Sequence, residues 1–174
     1  MQLLASHMTH TWLMDTSQAN PIGELSNFIL DSKSLHVRYI RVAVVGERTP
    51  YYIREDHIQW KKHILLIQTS SHLGQPDDFI RDQALLASAC NPIGYKVLDE
   101  QKHLIGRVQD FSFSSVDGKV ERLMIHPVWW QSFFHSDRII ARSSVKDVSV
   151  SKRTITINAS DAKIPAQAAK PIPA

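Results

Sequence analysis

Apolar and polar residues alternate over short stretches through most of the chain, and turn-forming residues interrupt the alternation. In the second half, Val108, Phe111 and Phe113 lead into Ser115-Val116-Asp117-Gly118, after which Val120, Leu123 and Ile125 resume. Asp-Gly between such runs predicts a hairpin, because these two residues tolerate the positive φ of a tight turn. Ser149 to Ile157 reads as a second hairpin, with Lys152-Arg153 at its tip and Thr154-Ile155-Thr156-Ile157 alternating strictly. The first half repeats the arrangement, with Lys61-Lys62 at a tip and Ile64 to Ile67 as the return strand. Several short strands separated by turns predict a small barrel or sandwich in each half.

The halves also repeat in sequence, at a spacing of about 83 residues. Ile22 to Val42 aligns without a gap on Ile105 to Ile125, with five of 21 positions identical. Leu25/Val108, Leu30/Phe113, Ile40/Leu123 and Val42/Ile125 keep apolar opposite apolar, so the repeat preserves a pattern of burial. Upstream, Leu3 to Ser6 recurs as Leu85 to Ser88, and Leu13-Met14-Asp15 answers Val97-Leu98-Asp99. A period of this length marks a duplicated structural unit. Each copy is near the size at which one core is only marginally stabilising, so the two are expected to pack on each other.

Composition then sets boundaries. Thr69 to Asp78 is rich in Ser, Gly, Pro and Asp, as linkers are, and Phe79 to Ser88 has the character of a short helix or turn. Ser160 to Ala174 is Ala- and Pro-rich without an apolar face, which predicts a flexible, disordered tail. The division is therefore a first barrel over 1–70, a linker over 71–83, a second barrel over 84–158 and a tail over 159–174. Residues 1–80 carry 7 Lys/Arg against 8 Asp/Glu and residues 81–174 carry 13 against 9, so the excess of +3 sits in the second half. That is too little to demand nucleic acid. One cysteine, Cys90, excludes an internal disulfide and fits a reducing compartment. No run reaches the length of a membrane span, and the first ten residues lack a leader pattern, so a cytoplasmic protein is expected.

The repeat unit resembles the PRC-barrel family, the module shared by the cytoplasmic part of the photosynthetic reaction-centre H subunit and a ribosome-maturation factor. The likeness lies in Ile22-Gly23-Glu24-Leu25-Ser26-Asn27-Phe28 with Arg38-Tyr39-Ile40-Arg41-Val42, and in Ile105-Gly106-Arg107-Val108-Gln109-Asp110-Phe111 with Arg122-Leu123-Met124-Ile125. An entry segment, Asn91-Pro92-Ile93-Gly94-Tyr95, precedes the second unit, where the first has His10-Thr11. The resemblance covers residues 3 to 158. It implies an all-β fold of two small antiparallel barrels in tandem and a bacterial, non-catalytic adaptor or assembly role. A fold shared by such different proteins does not fix a function.

Candidate chemistry is sparse. Gly23 and Gly106 occupy one repeat position and suggest a bulge or a close strand approach. Asn27 and Asp110 are also equivalent and suggest a turn hydrogen bond at a strand end. Trp129, Trp130, Phe133 and Phe134 concentrate four aromatics within six residues. They close a core or form a surface for a protein partner or a second copy; a membrane contact through them would be peripheral. Lys61-Lys62 and Lys152-Arg153 stand at matched tips, solvated or touching RNA phosphates. The nine histidines have no metal-site spacing, and no nucleophile motif frames a serine or Cys90. No cofactor, metal or small-molecule substrate is expected.

Overall fold

Strand exchange between the two copies dominates the computed structural model, which describes residues 1–75, 77–79, 89–127 and 138–158. The first copy runs β1 (Gln2–Leu4), one helical turn α1 (Ala5–Met8), β2 (Trp12–Asp15), β3 (Asn20–Asp31), β4 (His36–Val44), β5 (Tyr51–Arg54), β6 (Gln59–Trp60) and β7 (Leu65–Ile67). The second runs β8 (Ala89–Cys90), β9 (Lys96–Leu98), β10 (Leu104–Ser114), β11 (Val120–Pro127), β12 (Arg138–Ala141), β13 (Val145–Ser149) and β14 (Thr154–Ile157). The two curled half-barrel sheets have the same strand order, β5-β4-β3-β2-β7-β6 and β12-β11-β10-β9-β14-β13. Pairing is antiparallel except for β2 with β7 and β9 with β14, which run parallel. Each parallel pair joins a strand near the start of its copy to the last one, a long-range connection that alternation alone does not signal.

The chain forms two compact units. The first comprises Met1–Asn91 with Ser112–Val120, and the second Pro92–Phe111 with the chain from Glu121 onward. In the first unit, the leading strand of each copy pairs with the long strand of the other. Gln2, Leu3 and Leu4 of β1 lie opposite Ser114, Phe113 and Ser112 of β10, and Cys90 and Ala89 of β8 lie opposite Leu30 and Asp31 of β3. Leu30 and Phe113 are equivalent in the repeat, so Leu3 corresponds to Cys90. Leu85–Ser88, where the sequence of Leu3–Ser6 recurs, lies outside the described residues. The two hairpin tips also meet within this unit: the Val37 N–H donates to the Gly118 carbonyl (2.9 Å) and the Val120 N–H to the Leu35 carbonyl (3.1 Å).

Packing follows the exchange. Phe113 is fully buried against Phe28 (5.3 Å between ring centroids) and Trp60 (5.0 Å), both edge to face. Around them the first unit buries Leu13, Leu25, Leu30, Ile40, Val42, Ile53 and Leu65. Such aromatic pairs add to the transfer energy of the buried rings, about 1.5–3 kcal/mol for each large side chain. The second unit buries Val97, Val108, Phe111, Leu123, Ile125, Ile155 and Ile157, the inward positions of its alternating strands. Thr69 to Gly74, linker-like in composition, is tied to β5 by two bonds exchanged between Tyr52 and Gly74 (2.8 and 3.0 Å).

Glycine explains part of the duplication. A Cβ on Gly23 would lie 2.1 Å from the Ala43 carbonyl oxygen, and one on Gly106 would lie 2.3 Å from that of His126. Both are close strand approaches that exclude any side chain. The entry segments match in backbone where they differ in sequence. His10 (φ 65) donates from its N–H to Leu25, which donates back to Thr11; Gly94 (φ 81) and Tyr95 make the same two bonds with Val108.

Candidate functional site

Most residues that the copies share build the fold. Asn27 and Asp110 each accept the N–H of the following phenylalanine through Oδ1 (2.9 and 2.8 Å). They sit inside β3 and β10, not at strand ends: the β3–β4 register shifts between Leu25 and Asn27, a bulge that leaves local backbone groups to be capped. Asp15 and Asp99 are likewise matched and buried. Asp15 accepts from the Ser17 hydroxyl and from the Ser17 and Ser70 amides, which together hold its pKa below the usual range. Burial would raise Asp99, but bonds to the His103 amide and ring bring it below the usual range.

Of the positions singled out in the sequence, Lys61 and Lys62 are exposed in the turn between β6 and β7, and Lys152 and Arg153 in the turn between β13 and β14. The first pair belongs to the first unit and the second to the second. Arg153 lies over the Tyr95 ring (5.5 Å), a cation–π contact, and its carbonyl accepts the Lys96 N–H. Trp129, Trp130, Phe133 and Phe134 lie outside the described residues, as do 80–88 and the tail 159–174.

A polar surface at the β3 bulge was not evident from sequence. Ser26, Asn27, Arg41, Glu47, Arg48 and Thr49 line an open depression of about 300 Å³. It adjoins a second, of about 260 Å³, through Asn27, which is shared with Tyr52, Cys90 and Asn91. Register sets this row: Asn27 lies opposite Arg41, and Arg41 opposite Tyr52. Asn91, just after β8, donates from Nδ2 to Asn27 Oδ1, so the exchanged strand completes the surface.

A second group gathers where the paired tips meet the 3₁₀ turn Glu55–His57. His36 Nε2 is buried without a hydrogen-bond partner and stands 4.0 Å from Glu55 Oε2, with both side chains largely buried. The other ring nitrogen is satisfied by the Asp117 backbone, so in the neutral ring Nε2 carries the lone pair. Burial, then Arg38, lowers the His36 pKa; burial, then Asp56, raises that of Glu55. Nearby, Asp117 is held at about 2 by the hydrogen bond to Lys119, then by Ser114. The His57 and His72 rings stack at 4.0 Å. In the second copy the corresponding turn is Arg142–Ser144, without a carboxylate or an imidazole. Comparing Glu55-Asp56-His57 with Arg142-Ser143-Ser144 is the signal by which this cluster could have been found.

Cys90 is buried beside Leu30, and burial, then Asp31, pushes its thiol up to about 11, where it is not nucleophilic at neutral pH. Among the described residues no three His, Cys, Asp or Glu side chains gather as a metal site. No helix among them is long and apolar enough to cross a membrane. No protein-family model matches the chain, and no curated protein matches it.

Proposed function

We propose that this chain is a non-catalytic adaptor or assembly module of the PRC-barrel type, a bacterial cytoplasmic protein acting through protein contacts. The observation that carries the reading is what the two copies hold in common. Gly23/Gly106 admit a neighbouring carbonyl, Phe28/Phe111 fill the cores, and Asn27/Asp110 and Asp15/Asp99 cap local backbone. Duplicated positions are spent on a scaffold, and recognition falls to surfaces that one copy alone carries. Trp129, Trp130, Phe133 and Phe134 are such a set, with the Trp- and Phe-rich character of contact hot spots. The test uses the full chain and a Trp129→Ala/Trp130→Ala variant, immobilised in parallel and also examined by light scattering. Loss of a bound protein or of self-association, with an unchanged unfolding midpoint, is the expected result. Unchanged mass and unchanged bound proteins would overturn it.

A second reading, contact with structured RNA, rests on the exposed turns that carry Lys61, Lys62, Lys152 and Arg153. Phosphate contacts release counterions, so binding would fall steeply as salt rises. Fluorescence anisotropy at two salt concentrations tests it, and absence of binding at the lower one rejects it.

A further inference from the structure

We propose that the depression at the Ser26–Asn27 bulge of the first unit is an anion site that takes a phosphate group between Arg41 and Arg48. Arg41 and Arg48 line one concavity, and neither side chain has an ion-pair or hydrogen-bond partner among the described residues. The groups placed opposite Arg41 across the sheet, Asn27 and Tyr52, are neutral. Guanidinium groups present planar forks of N–H donors that match the oxygens of a phosphate, and charge-assisted bonds of this kind are the strong ones. Thr49 also lines the depression, and the Ser26 hydroxyl donates to the Arg41 carbonyl (3.1 Å), which fixes the backbone of that residue. A volume of about 300 Å³ is at the small end for ligand sites, suited to a phosphate and the first atoms of what bears it.

The second copy sharpens the argument, because the residues at the equivalent repeat positions differ in charge. Asn27 becomes Asp110 and Arg41 becomes Met124. The positive charge at Arg41 therefore belongs to the first copy and is not required by the repeat. Glu47 also lines the depression and opposes an anion, so its neutralisation should tighten binding.

The experiment records amide and arginine Nε–H shifts of the full-length, ¹⁵N-labelled chain at constant ionic strength. The probes are inorganic phosphate, a blocked phosphoserine tripeptide and the same tripeptide without phosphate. Saturable shifts at Arg41, Arg48, Ser26, Asn27 and Thr49 are expected with both phosphate probes and not with the third. Arg41→Met, which installs the residue of the second copy, and Arg48→Met should each weaken binding roughly tenfold, and Glu47→Gln should strengthen it. Arg48 lies in the loop after β4, so its variant keeps the test intact if Arg41→Met perturbs the sheet. Much tighter binding of the phosphopeptide assigns the site to phosphorylated segments; equal binding assigns it to free phosphate compounds. Shifts that stay linear to roughly 50 mM, far weaker than millimolar binding, or an affinity in both arginine variants unchanged from that of the parent, would overturn the proposal. The outcome is independent of the Trp129/Trp130 test, so either reading can fall alone.

Discussion

The two copies run through the same strand order but differ at the turn after the fifth strand and at the bulge of the long strand. The first copy has Glu55-Asp56-His57 and Asn27 facing Arg41, where the second has Arg142-Ser143-Ser144 and, at the positions equivalent to Asn27 and Arg41, Asp110 and Met124. Equal backbones with unequal side chains separate what the fold needs from what it can carry. The His10/Gly94 pair makes the point at one residue. Both adopt positive φ and both make the same two bonds, so the backbone is preserved where the sequence is not.

The largest effect is expected where the exchange is buried. Phe113→Ala should cost about 3–5 kcal/mol in urea unfolding, the range for a large aromatic in a packed core. Its loss should also alter Trp60 fluorescence, since the rings touch. If Phe113 acted only within its own copy, the Trp60 signal would not respond.

Gly23→Ala and Gly106→Ala test equivalence directly. Each would force a methyl group to within 2.1–2.3 Å of a backbone oxygen. Each should therefore lower stability by about 3 kcal/mol, the upper part of the overpacking range. A large loss at one and none at the other would break the comparison.

The His36–Glu55 pair belongs to the first copy and should give the first unit a pH signature. Glu55 has a folded pKa above the ordinary 4.5, so the folded state binds more protons there and stability falls as pH rises through that window. His36 has a folded pKa below the ordinary 6.5, so the unfolded state binds more protons and stability rises with pH in the window below 6.5. Glu55→Gln removes the first effect and offers His36 Nε2 an amide donor. Its stability relative to the parent should grow as pH rises from 4.5 and then level off. A constant difference across pH 4–8 would show that Glu55 titrates normally.

The smallest effect concerns the entry segments. A non-glycine residue in the left-handed region costs about 1–2 kcal/mol, partly offset by glycine's greater freedom when unfolded. His10→Gly should then stabilise by roughly 0.5–1 kcal/mol, and Gly94→Ala should destabilise by about 1 kcal/mol.

Much of the local structure was legible because its causes are local. Asp117-Gly118 turns the second hairpin, the basic pairs sit in the turns assigned to them, and the glycines lie at close approaches. The exchange was not legible. Ala89–Cys90 is two residues long and carries no periodicity, and its pairing is decided by contacts some 60 residues away in the chain. The parallel pairs and the His36–Glu55 contact are long-range for the same reason. At the candidate site, Arg41 and Arg48 are unremarkable singly. Only the bulge and the register of β3 on β4 place Arg41 beside Asn27.

Exchange of the leading strands is the central claim, and cross-strand nuclear Overhauser contacts test it most directly. The account predicts contacts from Gln2–Leu4 to Ser112–Ser114 and from Ala89–Cys90 to Leu30–Asp31. Contacts from Gln2–Leu4 to Leu30–Asp31, each leading strand paired with the long strand of its own copy, would contradict it.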